Sequence, residues 1–171
     1  MLRKYIKSCE LLHELDRVRT IVIKDLDEVP VSHIEALSIT HGSEVDLPYW
    51  LAKALSKQKY CEVKEVNDLV GLLRKFKFLE WTTTTSRHIL HKLPKDIYYR
   101  IKECVEKGML SKNDPLVYDL SKLRLNKLID ISRLGVKEEI LQNLTIEERV
   151  ILNILSTVIG EWINYLMRGE I

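Results

Sequence analysis

The run GSEVDLPYWLAKAL, residues 42–55, decides how the first third of this chain folds. Gly42 follows His41 and accepts a positive φ without a Cβ clash, so His41-Gly42 reads as a tight turn. SEVDL then alternates, with Val45 and Leu47 facing inward and Glu44 and Asp46 outward, the period of a half-buried strand. Pro48 has a fixed φ and no N–H, which suits the first position of a helix over 48–58. Trp50, Leu51, Ala54 and Leu55 recur at helical spacing and predict one buried stripe, with Lys53, Lys57 and Lys59 on the other face. Glu44 and Asp46 also raise an acid–base pair as a reading, but alternation turns both outward without a partner.

Working outward, VRTIVIKDL (18–26) is rich in Val and Ile and reads as a strand partly buried on both faces. EALSIT (35–40) is expected as its neighbour, and YCEVKEV (60–66) as a returning strand. Residues 1–17 carry Leu2, Tyr5, Cys9 and Leu12 at helical spacing, and both a helix and an edge strand stay open for them.

Beyond Val66 the pattern changes from short β-branched runs to apolar residues three and four apart. The expected fold class is α+β: a small N-terminal β-rich domain over 1–65, then a larger all-α helical-bundle domain over 66–171. Leu69, Leu72, Leu73, Phe76 and Leu79 mark a helix over 67–80. Another is expected to start at Pro94 and stop at Gly108, and a third to open with Asp114 as cap and Pro115 as first helical residue. The last opens at Thr145, which with Glu148 makes a capping-box pattern. Its apolar positions, from Ile146 to Leu166, cover more than one stripe, so it is either a central core helix or a helix lying against another chain. Ile154, Val158, Trp162 and Tyr165 are the candidate interface residues.

Composition restrains function more than it suggests one. The 27 basic and 25 acidic residues give a net charge of +2, so a nucleic-acid contact would need a local patch. No stretch approaches the roughly 20 apolar residues needed to span a bilayer, and charge breaks up the N-terminus, so the expectation is a soluble cytoplasmic protein. Cys9, Cys61 and Cys104 are odd in number and widely spaced, which reads as reduced thiols. Two glutamines among many Lys, Glu and Ile residues fit a heat-adapted source.

The candidate chemistry is thin. His88 and His91, at i, i+3 with Cys104 further on, could begin a metal set, but no second ligand pair stands nearby. Cys61 has no local nucleophile motif. WTTTTSRH (81–88) offers hydroxyls and Arg87 but lacks the glycines of a phosphate loop, so Thr85 or Ser86 is expected to cap the next helix instead. RKFKF (74–78) mixes cations and aromatics as single-strand binders do, yet Phe76 continues the apolar stripe, which leaves Arg74, Lys75 and Lys77 as a solvated face. No catalytic residue, cofactor or metal is expected, and the chain does not read as an enzyme.

Gly42, Glu44, Leu47, Pro48, Trp50, Leu51 and Ala52 together resemble the signature of GINS subunits, of the class whose small β-rich domain precedes the helical one. LPKDIYYRI (93–101) and NLTIEERVILNIL (143–155) resemble helical-domain segments of the same family. In that resemblance Gly42, Leu47, Pro48, Trp50 and Leu51 are the signature and core positions. It implies a non-catalytic scaffold of the archaeal replication fork, paired with a sister subunit of opposite domain order in a 2:2 heterotetramer. It further implies that the assembly bridges the MCM helicase and a RecJ-like protein, with primase as a further candidate partner and direct DNA contact weak or absent. Family interfaces use the helical domains, which would suit the surplus apolar face of the last helix. The alternative is a small DNA-binding regulator with a helix-turn-helix-like unit, for which duplex binding should be steeply salt-dependent.

Overall fold

The computed structural model describes residues 2–30, 36–63, 68–86, 89–135 and 137–168. The architecture is mixed α and β, and the chain divides into two compact units, Lys7–Asn67 and Met1–Ile6 with Asp68–Ile171. Residues left open between helix and strand form helix α1, Leu2–Leu15.

Within Lys7–Asn67, β1 (Arg17–Val22) is followed by β2 (Leu26–Pro30), β3 (Ala36–Ile39) and β4 (Glu44–Pro48). Helix α2 (Tyr49–Lys57) and β5 (Cys61–Val63) then complete the unit, so that β1 lies at the centre of a three-stranded antiparallel sheet of order β4-β1-β5. Gly42 has φ +78 and its N–H donates to the Val22 carbonyl at 2.9 Å, so the turn sends β4 back along β1 with Thr20 opposite Val45. Val22, Leu47, Leu51 and Ala52 form the buried core, with Val18, Val45, Leu55 and Val63 packed against it.

Four expectations change here. The strand read over 18–26 breaks after Val22, because the N–H groups of Ile23 and Lys24 both donate to the Tyr60 carbonyl. The segment read as its neighbour, β3, pairs with β2 in a separate two-stranded sheet, since β4 and β5 already occupy both edges of β1. Pro48 ends β4 and caps α2 rather than opening it, while the Tyr49 N–H donates to the Asp16 carbonyl at 2.9 Å. That fixes the helix phase so that Leu51, Ala52 and Leu55 of α2 pack with Leu47 of β4, and of the residues expected on the buried stripe Trp50 is 44% exposed and Ala54 is exposed as well. Of the returning strand, Lys64, Glu65 and Val66 lie outside the described residues.

In the other unit, α3 (Leu69–Thr82), α4 (Ile97–Glu106), α5 (Pro115–Leu134), α6 (Glu138–Leu141) and α7 (Ile146–Arg168) follow in order. The α3 stripe is buried as its spacing predicts: Leu69, Leu73 and Phe76 pack with Leu93, Ile97, Ile101 and Leu120, flanked by Leu72 and Leu79. Asp114 caps α5 by accepting from the Leu116 and Val117 N–H groups, with Pro115 first in the helix. A second apolar cluster joins Leu90, Leu128, Ile131, Leu144 and Leu152. Leu120 and Leu128 stand two turns apart on α5, so the two clusters are separated by the turn that carries Arg124. The hydroxyl run behaves differently from expectation. Thr82, Thr83 and Thr84 donate back to carbonyls of Leu79, Glu80 and Trp81, closing the end of α3, whereas α4 begins only at Ile97.

Candidate functional site

Between the two apolar clusters lies a fully buried ionic layer. Glu80 on α3, Arg124 and Lys127 on α5, and Glu148 on the first turn of α7 are each at most 3% exposed. Arg124 spends all five of its guanidinium hydrogens: Nε and NH2 on Glu148, at 2.7 and 2.6 Å, NH1 on Glu80 and the His91 carbonyl, both at 2.8 Å, and NH2 again on the Asn143 carbonyl at 3.4 Å. Lys127 places its three ammonium hydrogens on Glu80 Oε2, Thr83 Oγ1 and the Ile89 carbonyl, at 2.6, 2.7 and 2.9 Å. Two cations face two anions, so the layer is neutral.

The carboxylates are as fully engaged as the cations. Glu80 Oε1 accepts from Arg124 and the His91 N–H, and Glu148 accepts from Tyr98 Oη, Arg124 and the Thr145 N–H. The Thr145–Glu148 capping box is thus present, since the Glu148 N–H also donates to Thr145 Oγ1 at 3.3 Å, and its acid additionally serves the interior. Burial alone would raise the Glu80 carboxyl, but the Lys127 ammonium, the Arg124 charge and the His91 N–H hold it below the ordinary carboxylate range. Burial opposes the Arg124 charge, yet Glu148 first and Glu80 second leave it more firmly protonated than usual. Burial and the neighbouring Glu148 push the Tyr98 hydroxyl well above its ordinary value. With every carboxylate oxygen accepting and both acids buried, the layer fastens α3, α5 and α7 to one another.

The exposed apolar surface of this unit is instead at the far end of α7. Its first half is fixed: Leu152 is buried in the second apolar cluster, with Ile151 and Leu155 against it. Its second half exposes Val158, Trp162, Ile163, Tyr165, Leu166 and Met167, each between 45% and 80%. Of the interface candidates, Val158, Trp162 and Tyr165 stand exposed on one stripe, with the Trp162 and Tyr165 rings stacked at 6.0 Å, and half-buried Ile154 lines a groove with Tyr5 and Val150. The helix is also long and apolar enough over Ile146–Met167, at mean hydropathy 1.4, to cross a membrane by length and composition. This revises the expectation that nothing approaches a span. Polar residues such as Asn153, Ser156 and Thr157 interrupt the stretch without outweighing its Val, Ile and Leu, and Glu161 is the one charge between Val150 and Met167.

The other sequence candidates do not converge. Glu44 and Asp46 point outward as expected but are not without a partner, because Arg19 reaches them across the strand pair at 3.9 and 3.7 Å. His91 lies in a non-helical segment, which removes the helical i, i+3 geometry, and His88 and Arg87 lie outside the described residues. Among the described residues no three His, Cys, Asp or Glu side chains gather as a metal set. Cys61 is buried, its thiol 3.5 Å from the Ala52 carbonyl, and burial pushes its pKa up, away from a nucleophile's. The ionic layer itself was missed, although a signal existed. Glu80 continues the α3 stripe Leu69, Leu73, Phe76, and Arg124 and Lys127 fall on the α5 stripe between Leu120 and Ile131. Charges at inward positions of facing helices call for one another. In comparisons with known proteins, no family model and no curated protein matches this chain.

Proposed function

We propose that this chain is a non-catalytic subunit of a GINS-type complex, a scaffold that supports the MCM helicase at the replication fork and bridges it to a RecJ-like partner. The observation that carries the subunit reading is the exposed apolar end of α7, Val158 to Met167, on a helix whose first half is firmly packed. The particular family rests on the resemblance in residues 42–55, which form the β4–α2 unit with Leu47 and Leu51 in its core. The ionic layer of Glu80, Arg124, Lys127 and Glu148 pairs its charges with one another and so suits a structural role.

The length of the exposed run favours a protein partner over a bilayer. Ten residues of helix, 158–167, extend about 15 Å, half of the ~30 Å hydrocarbon core that a spanning helix must cross. The preceding turns are committed to the second apolar cluster and to Arg124. Native mass spectrometry of the chain purified from its source under gentle salt tests the proposal. A particle of two copies with two of a second, similarly sized subunit supports it. A monomer, a homodimer, or a chain that sediments with membranes overturns it.

A further inference from the structure

Helix α3 leaves two large aromatic side chains in solvent while burying its other ring. Phe76 is in the core, whereas Phe78 and Trp81 are 61% and 65% exposed, with centroids 6.4 Å apart and planes tilted by 40°. The sequence RKFKF thus splits, one ring inward and one outward, and the outward ring gains a tryptophan neighbour three residues on.

The charge around this pair is one-sided. Arg74 and Lys75 are exposed and Lys77 is half-buried. The single acid within α3, Glu80, is turned into the interior, where Arg124 and Lys127 consume it. Asp119 on α5 meets Lys77 at 2.6 Å and offsets one of the three cations. On the helix surface Arg74 precedes Phe78, and Lys77 precedes Trp81, by one turn each, so each exposed ring follows a basic position at i, i+4 spacing. From Arg74 to Trp81 the rise is about 10 Å.

We propose that the outer face of α3 binds single-stranded nucleic acid, with bases stacked on Trp81 and Phe78 and phosphates held by Arg74 and Lys75. Every base has a π face, and stacking on exposed rings beside cations is how sequence-tolerant single-strand binders gain affinity. A duplex hides those faces inside its own stack, so the surface discriminates against it. An acidic protein segment would satisfy the cations and leave the rings unused. The site lies on a different helix from the apolar end of α7, stands independently of the assembly proposed above, and departs from the expectation that nucleic-acid contact is weak or absent.

The test uses the full chain and a fluorescein-labelled oligothymidine of about 15 nucleotides, within single-strand site sizes, followed by anisotropy at low salt. The wild-type chain is expected to bind it and to bind a duplex of equal length more weakly. Trp81→Ala and Phe78→Ala should each weaken binding roughly five- to a hundredfold, and Trp81→Tyr should keep most of it where Trp81→Leu does not. Arg74→Glu with Lys75→Glu should lower the salt slope by about two phosphates. These positions are exposed, and far-UV circular dichroism confirms that each variant is folded. Absence of binding by the wild-type chain overturns the proposal. So does equal affinity for duplex, equal displacement by polyglutamate, or a loss on charge reversal while both alanine variants bind normally.

Discussion

The two halves of α7 invert the usual rule of burial. In the first, Glu147 and Glu148 are buried at 7% and 1%, while in the second Trp162, Leu166 and Met167 are exposed at 59% or more. The buried acid at 148 is satisfied inside the chain by Arg124, Tyr98 and the Thr145 N–H. Nothing within the described residues does the same for the exposed apolar end. The difference separates two kinds of demand made by one helix: a buried charge must find its partner within the fold, whereas an exposed apolar face is satisfied only by something outside it.

The largest effect should come from breaking the first half. Arg124→Met removes the guanidinium that serves both Glu80 and Glu148 and leaves Lys127 as the remaining cation of the layer. Removing one partner of a buried ionic set typically costs about 3–5 kcal/mol, because the remaining charges keep their desolvation without their attraction. Urea unfolding followed at 222 nm should show that loss in the midpoint at an unchanged slope. A shift below about 1 kcal/mol would mean that the layer behaves like a surface pair and that the contrast within α7 is false.

Acid tests the same layer without mutation. Glu80 has its pKa held below the ordinary value, so it contributes stability above its unfolded-state pKa, and that contribution disappears as pH falls through the lower, folded-state value. Stability of the helical unit should therefore decline below about pH 4.3, the ordinary glutamate value. Glu80→Gln should flatten that decline while lowering stability at neutral pH. An acid profile equally steep in the variant would assign the loss to other carboxylates.

What was legible in the sequence follows the range of each interaction. The spacing of the α3 stripe, the Asp114–Pro115 start and the Thr145–Glu148 box are each set within a few residues, and each is present. Trp50 was misplaced because helical spacing gives a period without a phase, and the phase came from Pro48 ending β4 and from Asp16, more than thirty residues earlier, holding the Tyr49 N–H. The second role of Glu148 was hidden because Arg124 lies 24 residues away. For α7 the surplus of apolar positions could be read directly, but where burial stops could not. It depends on how far Leu128, Ile131 and Leu144 reach along the helix.

Trp50 supplies a control from the other unit, an exposed aromatic on a helix whose packed face is Leu51, Ala52 and Leu55. Truncating a ring that is only half removed from water should cost about 1 kcal/mol, below the ~3–5 kcal/mol of a fully buried one. Trp50→Ala in thermal unfolding should thus be mild. A loss of full-core size would show that exposure measured along the chain alone understates the packing of such rings, Trp162 included.

The smallest effect on the chain's own stability should come from Trp162→Glu, and it sharpens the comparison most. The ring is 59% exposed and stacks on Tyr165, itself 45% exposed, so placing a carboxylate there asks little of the fold. Surface changes of this kind usually stay within about 0.5 kcal/mol. If α7 ends in a partner's groove, the same substitution buries a charge against apolar surface in the complex and should abolish co-purification of the second subunit, while circular dichroism and the urea midpoint of the isolated chain stay put. The two readouts must separate. Loss of helicity together with loss of association would place Trp162 in the same category as Arg124, a residue the chain needs for itself, and the division of α7 into an inner half and an outward half would fall.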